Sequence, residues 1–308
     1  IDLTGSGFLN MTDFARLAQH ACHIPEALQA HVAQITQRLI EHLSPEQLAV
    51  FDDPLIAQTA FKVCACSQFV TDSWVRHPQL ITELLGSGDL ASAECGARYA
   101  EQFATSQFED ETALAKALRL FRRREMVRIA WRDLAGWADL QETLADLTAL
   151  AEVSIQTALN FIYAQACQRW GTPTLADGRP FNIVVLGMGK LGAWELNYSS
   201  DIDLIFAYAE EGELTVKKEI SYSEFFTRIC RSLVRMLDET TVDGFVFRTD
   251  VRLRPFGDSG PLIMTFEGME NYYLTQAREW ERYAMIKARQ VAGDWISGQQ
   301  LDAIIKPF

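Results

Sequence analysis

Apolar positions change rhythm partway along the chain. Up to about residue 170 they recur at three- and four-residue spacing, and this predicts helix after helix. From Glu111 to Asp133, Leu114, Leu118, Phe121, Val127 and Ile129 fit one helical face, while Arg122, Arg123, Arg124, Arg128 and Arg132 load the others. Such an arginine row reads either as a solvated face or as a basic ridge toward a phosphate or an acidic partner. His77-Pro78 and the Gly-Ser-Gly at 86–88 punctuate this half, and Gly171-Thr-Pro173 with Ala176-Asp-Gly178-Arg-Pro180 closes it.

Past Pro180 short β-branched runs take over. Phe181 to Leu186, ending at Gly187, and Ile202 to Ala207 read as strands. Helical spacing returns at Phe225, Phe226, Ile229, Leu233, Val234 and Leu237. An alternating stretch from Phe245 to Leu253 then predicts a strand, with Phe245, Phe247, Thr249, Val251 and Leu253 on one face and Arg248, Asp250, Arg252 and Arg254 on the other. One long helix is expected from about Phe266 to Val291, with most of Tyr272, Tyr273, Trp280 and Tyr283 in the core, and another toward Phe308. The expected plan is α+β: a helical region over 1–175, a strand-containing core over 176–265, and the start of a further helical region over 266–308. The chain opens on Ile1 and stops inside that last region, the pattern of a piece of a longer protein.

Composition narrows the chemistry. The 308 residues carry 41 acids against 28 bases, a net charge of −13, so no overall field draws nucleic acid. All five histidines, His20, His23, His31, His42 and His77, fall in the first quarter. Later chemistry therefore uses carboxylates, hydroxyls, Lys and Arg. The six cysteines, without CxxC spacing, read as buried free thiols of a reduced, cytoplasmic protein. His20-Ala-Cys22-His23 could hold a metal but lacks a second ligand pair. No apolar stretch reaches the roughly 20 residues that span a bilayer, so no membrane is expected.

Two motifs compete for the chemical centre. Gly187-Met-Gly189-Lys190-Leu-Gly192 is a GxGxxG after a predicted strand, the form of a dinucleotide-binding turn. Asp201-Ile-Asp203 opens the next apolar run. In a dinucleotide fold the ribose-binding acid closes its strand, whereas these acids precede Leu204-Ile-Phe206, and only about one helical turn fits between the motifs, too little for a crossover helix. A nucleotidyl-transfer site fits better. Asp201 and Asp203, two apart, aim both carboxylates to one side and can hold a hard cation, and Asp250 can supply a third. Three such carboxylates suit a two-metal mechanism, one ion activating the attacking oxygen and the other stabilising the leaving one. Amides around Gly187 and Gly189, with Lys190, would receive phosphate oxygens. Arg252 and Arg254 would neutralise phosphate charge or pair with neighbouring acids.

These residues resemble a known family. Leu186-Gly-Met-Gly-Lys-Leu-Gly192, Glu195-Leu-Asn-Tyr-Ser-Ser-Asp-Ile-Asp-Leu-Ile-Phe206, Asp250-Val-Arg-Leu-Arg-Pro-Phe-Gly257 with Ser259-Gly-Pro-Leu262, Trp280-Glu-Arg-Tyr-Ala-Met-Ile-Lys-Ala-Arg289 and Leu120-Phe-Arg-Arg-Arg-Glu-Met-Val-Arg-Ile-Ala-Trp131 are similar to the glutamine synthetase adenylyltransferases, bifunctional enzymes whose halves each carry a nucleotidyltransferase domain. Arg-Pro-Phe-Gly and Trp-Glu-Arg-Tyr-Ala-Met resemble the adenylyl-removing half. The resemblance implies a nucleotidyltransferase-type mixed sheet and phosphorolysis: orthophosphate attacks the AMP on a tyrosine of adenylylated glutamine synthetase and releases ADP. It implies Asp201, Asp203 and Asp250 as catalytic residues and ligands of Mg²⁺ or Mn²⁺. Gly187, Gly189, Lys190, Ser200, Arg252 and Arg254 stand as the nucleotide- and phosphate-binding set. The PII signalling protein and glutamine are implied as regulators of the longer enzyme. A binding module for synthetase or PII, without catalysis, is the alternative, and forward adenylylation shares the same phosphorus chemistry. Gly192-Ala193-Trp194 departs from the family's run of glycines and predicts a stiffer loop.

Overall fold

The computed structural model describes residues 24–93, 95–104, 106–215 and 219–306. The His20, Cys22 and His23 cluster lies outside them. The chain divides into two compact units, one of residues 1–95 and 123–143, the other of residues 96–122 and 144–308.

The first unit is helical. Its helices are α1 (Glu26–His42), α2 (Pro45–Leu48), α3 (Pro54–Cys66), α4 (Gln68–Arg76) and α5 (Gln79–Gly86). Local chemistry starts several of them. Ser44 and Gln47 form a reciprocal capping box, Asp53 accepts from the Leu55 amide ahead of Pro54, and Ser67 caps α4 through the Val70 amide. Phe51, Phe61, Trp74 and Trp131 stack at centroid separations of 5.5–5.6 Å, and the Trp131 indole N–H donates to Thr59 Oγ1 at 2.9 Å.

Trp131 lies on α7 (Glu111–Ala135), the helix of the arginine row. That row is neither a solvated face nor a free basic ridge. Arg128 is fully buried on Glu125, also buried, at 2.6 Å, and Arg132 is buried between Glu142 Oε1 (2.8 Å) and the Leu90 carbonyl (3.2 Å). Arg124 pairs with Asp89 and Glu125. Guanidinium groups this deeply placed are kept by internal pairing, as at Arg124, Arg128 and Arg132. Cys64 and Cys230 are buried thiols as expected, whereas Cys66 is exposed. Burial pushes the Cys64 thiol up to about 12.

The second unit is α+β. It contains α6 (Tyr99–Ala104), α8 (Leu140–Trp170), β1 (Val184–Gly187), the single-turn α9 (Gly189–Gly192) and β2 (Ile202–Tyr208). After these come β3 (Glu213–Leu214), β4 (Ile220–Ser221), α10 (Tyr222–Asp238), β5 (Thr249–Asp250), β6 (Ile263–Thr265), α11 (Phe266–Thr275), α12 (Glu279–Met285), β7 (Arg289–Gly293) and α13 (Trp295–Ile305). The main sheet runs β5-β2-β1-β7, with β6 also beside β2. It is mixed: β1 is antiparallel to β2 and β7, whereas β5 and β6 run parallel to β2.

Both faces of the sheet are covered, which is why β1 and β2 read as continuous apolar runs. Val184, Leu186, Ile205 and Ala207 pack with Phe266, Met269, Tyr273 and Leu301 on one face. An aromatic cluster of Phe181, Tyr208, Tyr222, Phe225 and Phe226 packs at ring separations of about 5 to 6 Å.

Two expected elements differ. The alternating stretch 245–253 forms a strand only at Thr249–Asp250. Val246 and Phe247 are adjacent and both buried, and both amides donate to the Leu237 carbonyl, which breaks the alternation. Turns closed on Val251 and Arg254, together with Pro255, end the strand. The expected long helix 266–291 is instead α11, α12 and β7. Tyr272 and Tyr273 are buried, but Trp280 and Tyr283 are exposed. No helix among the described residues is long and apolar enough to cross a membrane.

Candidate active site at the glycine turn and the aspartates

The antiparallel β1–β2 pairing disposes of the dinucleotide reading, which needs parallel strands joined by a crossover helix. The chain instead turns tightly through α9 and returns beside itself. The Met188 amide donates to the Asp203 carbonyl at 2.9 Å, tying the glycine turn to the strand that carries the acids. Gly189 has φ +54°, and a Cβ there would lie 3.1 Å from Asp203 Oδ2. Glycine is thus needed twice, for the left-handed backbone and for the close approach of the carboxylate. The amides that open α9 have no acceptor within so short a helix.

Parallel pairing of β5 with β2 sets Asp250 opposite Asp203. The Ile202 amide donates to the Arg248 carbonyl at 2.9 Å, and Asp238, the last residue of α10, accepts from the Thr249 amide at 3.2 Å. These bonds fix where the two-residue strand sits.

The electrostatics separate the carboxylates. Burial holds the Asp203 carboxyl above its ordinary range, and the charges of Asp250 and Asp201 push the same way against the partial relief of Arg252 and Lys190. Hydrogen bonds from Arg252 hold Asp250 below the ordinary range despite its burial, with Arg254 adding to the effect. The Arg252 backbone amide and Nε reach Asp250 Oδ1 at 2.8 and 3.1 Å. Asp201 pairs with Arg248, whose Nη2 also donates to the Ser199 carbonyl at 2.6 Å.

Of the residues singled out in the sequence, Asp201, Asp203, Asp250, Gly189, Lys190 and Arg252 therefore converge. Gly187 lies beneath the turn, where a Cβ would strike Val291 and Leu191. The Ser200 hydroxyl donates to Asn197 Oδ1 at 2.7 Å and closes the preceding turn. Arg254 faces the Val251 carbonyl and Asp258. Arg248 was not among the expected site residues. Its only sequence signal was its place on the polar side of the alternating stretch.

The donor set is all carboxylate oxygen, the kind that suits Mg²⁺ or Mn²⁺, and Asp203 feels the negative charge of two neighbouring carboxylates, partly offset by Arg252 and Lys190. Among the described residues no group of three His, Cys, Asp or Glu side chains closes on a single point, because Asp201 and Asp250 are each drawn to an arginine.

Comparison with known proteins covers the whole region. The family model for glutamate-ammonia ligase adenylyltransferase matches residues 57–304. The chain is 48% identical over 287 residues to the bifunctional glutamine synthetase adenylyltransferase/adenylyl-removing enzyme of Thioalkalivibrio sulfidiphilus, covering 92% of this chain and 29% of that protein. It is 47% identical to the protein of the same description from Nitrosococcus oceani (92% of this chain, 30% of that one). Against the Pseudomonas aeruginosa protein of that description it is also 47% identical, with 80% of this chain and 26% of that one covered. The chain thus spans about three-tenths of the length of the first curated relatives.

Proposed function

The chain belongs to the glutamate-ammonia ligase adenylyltransferase family, and from that premise we propose that it carries the adenylyl-removing activity, cleaving AMP from a tyrosine of glutamine synthetase with orthophosphate. The observation that carries this reading is the pairing of Asp203 with Asp250 against the Gly189 backbone. It brings carboxylates and a glycine turn together in the way nucleotidyl transfer needs. The phosphorus–oxygen bond to tyrosine breaks, a bond from an orthophosphate oxygen to the same phosphorus forms, the tyrosyl oxygen takes a proton, and ADP leaves.

In this reading the backbone amides at Gly189 and Lys190, with the Lys190 ammonium, bind phosphate oxygens. Asp201, Asp203 and Asp250 would hold Mg²⁺ or Mn²⁺, which when bound supplies positive charge to the reacting phosphate. Arg252 and Arg248 hold the Asp250 and Asp201 side chains in place through ion pairs. Arg252, with its side chain 72% exposed, would reach incoming phosphate by exchanging its hydrogen bonds to Asp250. The removing direction is supported by Arg254-Pro-Phe-Gly257 and Trp280-Glu-Arg-Tyr-Ala-Met285, wording similar to that half of the family. Control by PII belongs to the same proposal and concerns the longer protein.

The test is to incubate the chain with adenylylated synthetase, orthophosphate and Mg²⁺, and to separate the nucleotides. Phosphate-dependent ADP supports the reading. Pyrophosphate from ATP and unmodified synthetase, with no ADP release, would assign the opposite direction.

A further inference from the structure

Arg289 is the most heavily used side chain near the glycine turn. It opens β7, where it pairs with Gly187 of β1. Its Nε donates to the Gly192 carbonyl at 3.1 Å, and its Nη2 donates to the Leu191 carbonyl at 3.1 Å and to Glu152 of α8. The guanidinium lies over the Trp194 ring, 4.2 Å from its centroid. Leu191 and Gly192 end α9, where carbonyls run out of intrahelical donors; Arg289 donates to both, and the Leu191 carbonyl also accepts from the Trp194 amide at 3.4 Å.

The surroundings leave this turn little freedom. A Cβ on Gly192 would lie 1.8 Å from the Lys287 carbonyl oxygen, and Lys287 Nζ pairs with Glu195 Oε2 at 2.7 Å just beyond the turn. Trp194 holds φ +62° although it is not glycine, and the residue is 53% exposed. A strained residue persists where its neighbours over-determine it. Here the neighbour is Arg289, itself aimed by Glu152.

We propose that Arg289, held by Glu152, is a positioning residue: it fixes the height of the glycine turn over Asp203 and so sets phosphate affinity. Arginine suits this role because one planar fork serves both carbonyls, the carboxylate and the ring, which a lysine ammonium cannot do. The proposal rests on the glycine turn being the phosphate site.

The test compares Arg289→Lys with Arg179→Lys. Arg179 pairs with Asp294 at 3.3 Å, just past the other end of β7, and touches nothing in the turn. Binding of ADP in Mg²⁺ is measured by titration calorimetry, with thermal unfolding alongside. Arg289→Lys keeps the charge, so the fold is expected to survive. Its dissociation constant is expected to rise about tenfold, the size of one lost hydrogen bond to a charged group. Glu152→Gln is expected to weaken ADP in the same direction, and Arg179→Lys to leave ADP binding unchanged while lowering the unfolding temperature similarly. ADP binding by Arg289→Lys equal to wild type overturns the positioning role while leaving the nucleotide site standing. Wild-type protein that binds no ADP overturns both.

Discussion

Gly192→Ala gives the most direct physical check on the turn. The added Cβ would meet the Lys287 carbonyl oxygen at 1.8 Å and the Gly187 carbonyl oxygen at 2.4 Å. An ordinary carbon–oxygen contact needs about 3.3 Å, so the shortfall is about 1.5 Å on one side and about 0.9 Å on the other. Neither obstacle is a side chain that could change rotamer. Gly187 is locked in the β1 ladder with β2 and β7, and Lys287 leads directly into β7. Overpacking typically costs about 1–3 kcal/mol and more where backbone must move, so about 3 kcal/mol or more is expected. For a unit of this size that lowers the unfolding midpoint by about 6–12 °C. Gly86→Ala, at the end of α5 with nothing within 4 Å, is the control and should lose nothing. Differential scanning calorimetry of both variants reads the result. An unfolding temperature for Gly192→Ala within about 2 °C of wild type would refute the close packing of the turn.

Three further outcomes follow from the same geometry. Because Asp203 is held above its ordinary carboxyl range, the native state binds more protons than the unfolded chain just above that range, and its stability falls as pH rises through the window. Asp203→Asn in EDTA should therefore unfold at higher temperature than wild type at pH 8, with the advantage vanishing in acid; a less stable variant at pH 8 would sink the assignment. Glu125→Gln strips the buried Arg128 of its carboxylate, and urea unfolding should register a loss of about 3–5 kcal/mol, a loss below 1 kcal/mol counting against the buried pair. At position 194, glycine should be more stable than alanine by about 1 kcal/mol, since both lose the ring but only alanine keeps the left-handed strain; equal unfolding temperatures would contradict the backbone conformation.

Part of this site was legible in the sequence. Gly187 to Gly192 and Asp201 to Asp203 read correctly as a turn and a strand start because each signal is local: apolar runs bounded by glycines and by acids. Asp250 was assigned to a strand for the wrong reason. Alternation over 245–253 suggested nine residues of strand, whereas Asp250 reaches the site through two residues paired in parallel with β2, a long-range contact that leaves no periodic trace. β7 was misread as helix, because Arg289-Gln-Val-Ala-Gly293 holds one β-branched residue and follows aromatics at helical spacing. Arg289 and Glu152 were unreadable as partners for the same reason, being 137 residues apart. The arginines of α7 were misjudged since charge alone does not reveal that Glu125 is buried with Arg128 or that Glu142 reaches the buried Arg132.

We propose that Asp203, beside Asp250 and the glycine turn, serves nucleotidyl transfer on glutamine synthetase. ADP release from adenylylated synthetase by Asp203→Asn, with circular dichroism matching wild type, tests it most directly. A rate lower by about a hundred- to a thousandfold is expected, the size of losing one group that acts on the transition state. A rate equal to wild type would contradict it.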